Sequence, residues 1–132
     1  MMENFEVLMR EKKDEHLLDG LAVVDDAVLH AIKKDFQNVP EDYLVFLKEF
    51  GAGEIDYAGI MLYSGFLEAE EIFDAGDANA FRDIRFFGDD MQGRCFGFDT
   101  SQSWSIVEVD SSDMSVRKLC DEFSYFVYDL LS

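Results

Sequence analysis

Residues Arg85 to Thr100 read RFFGDDMQGRCFGFDT. Two aromatic runs of strand length flank a turn holding the adjacent pair Asp89 and Asp90, with glycines at 88 and 93 and a third acid, Asp99, close behind. Successive side chains of a strand point to opposite faces, so Phe96 and Phe98 share one face of RCFGFD and Cys95, Gly97 and Asp99 share the other. The same pattern extends outward. DIRFFG precedes the turn, WSIVEVD follows, and SVRKLC supplies a further strand-length run, with turn residues between them. In WSIVEVD, Glu108 and Asp110 fall on one face and Val107 and Val109 on the other.

The flanks of this β-rich region read as helical. Phe5, Leu8 and Met9 fall at i, i+3, i+4 near the start. In DDAVLHAIKKDF, Val28, Ile32 and Phe36 lie one turn apart, with Asp25 or Asp26 as N-cap and Lys33 and Lys34 closing the helix. VPEDYLVFLKEFGAG places Pro40 at the first helical position, a stripe of Tyr43, Phe46, Leu47 and Phe50, and Gly51 as the stop. YAGIMLYSGF suits a strand, and EAEEIFDAGDANAF a short helix followed by a loop. DEFSYFVYDLL closes the chain with Phe123, Phe126, Val127 and Leu130 behind an Asp121 cap. Helices at both ends of a run of mostly antiparallel strands make a single α+β domain over residues 1–132.

Composition supports a packed domain. The 132 residues are 48% hydrophobic and 14% aromatic, with 13 phenylalanines and one proline, and burying so many rings requires a real core. The formal net charge of −18 is therefore not a sign of disorder. It is heavier in residues 51–132, at −12, than in residues 1–50, at −6. Such a field keeps a protein soluble, repels nucleic acid and anionic membranes, and attracts basic partners. Cys95 and Cys120 form no CxxC pair and no metal signature with His16 or His30, which suits reduced thiols in the cytoplasm. The charged start MMENFEVLMREKKDEH lacks the apolar core of a signal peptide, and no apolar run is of spanning length.

The acids of the opening stretch invite three readings. An EF-hand needs acids at alternating positions and a glutamate at position twelve, which DDMQGRCFGFDT lacks. A glycosidase needs two carboxyls facing each other across a substrate, and adjacent turn residues do not provide that. The third reading has Gly88, Asp89 and Asp90 supplying turn conformations and capping hydrogen bonds. No HExxH, GxGxxG or P-loop is present, and GAG at 51–53 is a helix stop. No catalytic residue, cofactor site or metal site is expected. Trp104 reads first as a packing residue.

Taken together, the residues resemble the SUKH superfamily of SMI/KNR-type domains. The carriers are Pro40, Asp42, Tyr43, Phe46, Leu47, Gly51 and Gly53 in the helix, then Gly88, Asp89, Asp90 and Gly93 with Phe96, Phe98 and Asp99 after the turn, and finally Phe123, Phe126 and Leu130. The match runs from about residue 25 to residue 131. Val39 stands where leucine is usual, Met91 and Gln92 replace two glycines, and Arg94 replaces a small polar residue. The resemblance implies a curved, mainly antiparallel sheet flanked by N-terminal helices and a C-terminal helix, with no catalytic residue set. It also implies the activity of the bacterial members, immunity proteins that bind and neutralise toxins. Fungal members, by contrast, are regulatory interaction proteins.

The expectation is a non-enzymatic inhibitor of a basic, nuclease-type toxin domain, because clefts that hold phosphates must be basic. The alternative is a regulatory or scaffolding domain binding several clients weakly. The partner-binding candidates are Asp89, Asp90, Asp99, Trp104, Glu108, Asp110 and Asp113, with Tyr57 and Tyr63 as further aromatic anchors.

Overall fold

Seven strands joined in chain order form one open antiparallel sheet, β1 to β7. The structure, a computed structural model, describes residues 2–131, with side chains from Phe5 onward. Helix α1 spans Met2–Asp14, β1 is Leu21–Ala22, α2 is Asp26–Asp35 and α3 is Glu41–Glu49. Strands β2 (Ala52–Ile55) and β3 (Ile60–Leu67) follow. A 3-10 turn at Ala69–Glu71 and the one-turn helix α4 (Ala75–Ala78) lead into β4 (Ile84–Asp89). The remaining elements are β5 (Arg94–Asp99), β6 (Ser105–Asp110), β7 (Ser115–Cys120) and α5 (Phe123–Leu131). The α+β expectation, with helices at both ends of an antiparallel sheet, is met.

The sheet is covered on both faces. On one side, Phe87, Phe96, Phe98 and Ile106 pack with residues of α1, α2, α3 and α5. Tyr43 sits at the centre of that core, its ring 5.0 Å from Phe123 and 5.3 Å from Phe98 between centroids. Edge-to-face geometry at these distances adds to simple burial. On the other side, Phe86, Cys95, Val107 and Val109 pack under Ala69, Ala78 and Phe81. The alternation read in RCFGFD and WSIVEVD thus feeds two cores. The segment between β3 and β4, expected as a helix and then a loop, is the lid of the second core, and its helical turn comes late, at Ala75–Ala78.

Several local expectations are corrected. The buried face of α2 is Leu29 and Ile32, and Val28 is 38% exposed. Asp25, rather than Asp26, caps that helix, accepting from the Val28 amide at 3.0 Å. Pro40 is the N-cap of α3 and not its first residue. In α5, Leu131 is buried where Leu130 was expected. Asp121 does not cap α5; it pairs with Lys118 at 2.6 Å. The cap comes from α3, where Asp42 Oδ2 accepts from the Ser124 amide at 2.9 Å, across 82 residues of sequence.

Gly51 ends α3 in the left-handed region, φ 99°, and a Cβ there would run into the Ala22 carbonyl. Gly88 is not a turn residue. It lies in β4, where β3 comes so near that a Cβ would stand 2.5 Å from the Met61 carbonyl oxygen.

Candidate functional site

The turn after β4 is built by its own acids. The Asp90 amide donates to the Arg94 carbonyl at 2.9 Å, closing the loop, while Met91 and Gly93 adopt positive φ. Asp89 Oδ1 accepts from the Met91 amide at 2.8 Å, and Asp90 Oδ1 from the amides of Gln92 and Arg94 at 2.8 and 2.9 Å. The capping role read for this pair is therefore seen directly. The same device recurs in the turn after β6, where Asp110 accepts from the Ser112 amide at 2.9 Å and Asp113 from the Ser115 amide at 3.0 Å. The two turns lie side by side, joined by the Ser111 amide donating to the Gly93 carbonyl at 2.9 Å.

These turns make an acidic rim at one end of the sheet. Two arginines temper it. The register sets Arg94 opposite Asp110 and Glu108 opposite Arg117. Glu108, only 12% exposed, is bound by Arg117 at 3.0 Å and lies 3.8 Å from Arg94. It is a partner of this chain's own arginines and not a free landing point. Asp110 is held below the usual carboxylate range by its hydrogen bonds from Ser112, and Arg94 adds to the effect. Asp89 also accepts from the Tyr63 hydroxyl, and burial together with that bond raises the tyrosine's pKa strongly.

Beside the rim opens a shallow cavity of about 350 Å³ lined by Tyr63, Ile72, Phe73, Met91 and Cys95. Met91 stands at its lip and is 50% exposed. Sequence reasoning passed over Met91; its place in a turn beside two aspartates was the available signal. The Cys95 thiol is pushed up to about 11, first by burial and then by Asp89 and Asp90, so it is not a nucleophile at neutral pH.

Asp99 and Trp104 lie at the opposite end, in the turn between β5 and β6. Asp99 accepts from the amide and hydroxyl of Ser101. Trp104 packs against Phe98 at 5.7 Å and Phe66 at 5.9 Å. The seven expected residues are therefore not one surface. Asp89, Asp90, Asp110 and Asp113 form the rim, Glu108 lies beneath it, and Asp99 and Trp104 belong elsewhere. Tyr57 is exposed, donates to the Leu131 carbonyl at 3.1 Å and lies under Lys12.

Among the described residues, no three His, Cys, Asp or Glu side chains converge as metal ligands. His16 is exposed and pairs with Asp19 at 3.3 Å. No described helix is long and apolar enough to cross a membrane. Compared with protein families and with curated proteins, the chain matches no family model and no curated sequence.

Proposed function

We propose that this protein is an immunity protein of the SUKH type, a non-enzymatic binder that neutralises a basic, nuclease-type toxin domain in the cytoplasm by one-to-one association. The order of its landmarks, from Pro40 through the Asp89–Asp90 turn to Phe126, supports the family reading. The observation that carries the function is the rim, where Asp89, Asp90, Asp110 and Asp113 are held by backbone amides around exposed Met91. Carboxylates fixed in this way present a preorganised negative field, and the apolar Met91 supplies an anchor within it. A net charge of −18 steers a basic partner toward such a surface, with association approaching about 10⁸ M⁻¹s⁻¹ at low salt. Covering the partner's phosphate-binding cleft suffices to inhibit it.

Co-expression with the toxin domain encoded beside this gene tests the reading. Growth should be restored, and the purified complex should contain the two chains in equal amounts. If every neighbouring toxin remains fully lethal, the reading is wrong.

A further inference from the structure

Strand β7 forms one edge of the open sheet and pairs only with β6. The opposite edge, β1, is two residues long, whereas β7 runs for six, Ser115–Cys120, and its first four are exposed. Alternate residues of a strand turn their N–H and C=O groups to opposite sides, so about three residues of β7 present theirs outward. Among the described residues, none of these outward groups has a backbone partner. Natural edges are blunted by proline, by lysines lying across them or by a covering segment. β7 has no proline, and its two cations are drawn aside by this chain's own acids, Arg117 to Glu108 of β6 at 3.0 Å and Lys118 to Asp121 at 2.6 Å. A groove of about 360 Å³ opens beside the same edge, between β7 and α5, with Phe96, Arg117, Leu119, Phe126 and Leu130 in its walls.

We propose that β7 takes an extended segment of the basic partner as an added strand, with one large apolar side chain of that segment seated in the groove between β7 and α5.

The edge and the groove supply the two parts that strand addition needs. Unpaired main-chain groups give affinity for any extended chain, and a pocket on one face chooses the side chain that lies over it. The groove suits an apolar side chain, since Phe96, Leu119, Phe126 and Leu130 wall it, and it reaches the outermost strand through Leu119. A second copy of this chain is the poorer occupant. Antiparallel pairing of β7 about a two-fold axis sets one residue against its own counterpart, and centring it on Arg117 or Lys118 places like charges directly opposite. Any such dimer also brings together two chains of −18, whereas a basic segment is attracted by the same field. Position favours the partner of the rim as well, because β7 begins directly after the turn held by Asp113. The charge of the segment rests on the basic-partner reading above; the open edge and the groove do not.

The test titrates the intact protein in a calorimeter with acetyl-Lys-Val-Lys-Phe-Lys-Val-Lys-amide, at about 150 mM salt to screen loose attraction. Two N-methylated forms keep its charge and side chains, one methylated at the lysine amides and the other at the valine and phenylalanine amides. In any one register only one of these sets faces β7. One form should therefore lose about tenfold in affinity while the other binds like the parent. Glutamate in place of every lysine should cost about tenfold. Leu130→Ala should weaken the parent peptide by about fivefold, and Val23→Ala, exposed beside the opposite edge, should leave it unchanged. Amide exchange of the native chain needs no variant and should slow along β7 when the peptide is added. Parent-like binding of both N-methylated forms, undiminished binding of the glutamate peptide, slowing at the rim with none in β7, or no response at millimolar peptide would each overturn the proposal. None of these results decides the co-expression experiment, which reads toxin neutralisation without reference to β7.

Discussion

Asp90 offers the clearest separation of structure from charge. Its Oδ1 accepts two backbone amides, Gln92 at 2.8 Å and Arg94 at 2.9 Å, in an exposed turn. A net contribution of about 0.5–1 kcal/mol for each such bond puts the loss in Asp90→Ala at about 1–2 kcal/mol. In a domain of this size that lowers the midpoint of thermal unfolding by about 4–7 °C. Asp90→Asn keeps a carbonyl oxygen in the same place and should stay within about 0.5 kcal/mol of the native chain. Asp90→Glu keeps the charge but carries the carboxylate one methylene away from both amides, so it should resemble alanine. Urea unfolding followed by Trp104 emission measures all three, since that ring lies at the far end of the sheet and reports global unfolding. Association with a basic partner at low salt should sort the variants the other way. Asn and Ala should slow it alike, by about twofold, and Glu should not. If Asn proves as destabilising as Ala, the carboxylate acts through its charge and not as a cap on the two amides, and the preorganised rim is refuted.

Other consequences follow from packing and charge. Gly88→Ala should destabilise by about 1–3 kcal/mol in denaturant unfolding, because the new Cβ meets the Met61 carbonyl oxygen at 2.5 Å and strands β3 and β4 must separate. A neutral result would mean that β3 gives way freely. Asp42→Ala should cost about 1 kcal/mol by removing the cap on α5, and Asp42→Asn should recover most of it. Amide exchange in the first turn of α5 is the local readout for that pair. Lowering the pH from 7 toward the ordinary glutamate value of 4.5 should raise the melting temperature. Glu54 and Glu70 have pKa values raised above their ordinary 4.5, each first by sharing a hydrogen bond with a neighbouring carboxyl, Asp56 and Glu68 respectively. A raised carboxylate contributes stability that is present below its ordinary value and lost as pH rises through the folded one. Asp110, shifted down, acts oppositely and only at lower pH, its contribution fading as pH falls through its depressed value. Sodium chloride at pH 7 should raise the melting temperature as well, by screening the net −18, and a fall with salt would contradict the repulsion argument.

Local periodicity carried much of the fold. The alternation around Phe96 and Phe98 and the stripe of Tyr43, Phe46 and Leu47 appear in the structure at the expected positions. The misses have a common physical origin in tertiary contact. Val28 satisfies a helical spacing as well as Leu29 does, and only the position of α2 against the sheet selects Leu29. Asp121 reads as an N-cap, but α5 starts at Phe123, one residue too late for it, and Asp42 arrives from α3 to take the Ser124 amide. Gly88 looked like turn chemistry because Asp89 and Asp90 follow it; its actual constraint is the backbone of β3, which no local pattern reveals. The candidate site fared similarly. The acids of both hairpin turns were legible as turn formers, but their assembly depends on β4–β5 and β6–β7 turning at the same end of a meander. By the same geometry Asp99 and Trp104, a few residues along, are carried to the other end.

That division has a functional consequence. Strands of six residues put roughly 20 Å between the two ends, and packed segments cover both faces of β4, β5 and β6 between them, while β7 stays largely exposed. The ends point in opposite directions along the strands. A globular partner seated over Asp89, Met91 and Asp113 therefore leaves the end that carries Asp99 and Trp104 uncovered. Charge alone draws a basic protein to any part of this surface. Only the geometry makes the rim selective: there, carboxylates locked by their own turns surround an apolar tip. Neutralising acids outside the rim should slow encounter without changing which partner is held, because long-range attraction governs arrival and the local fit governs release.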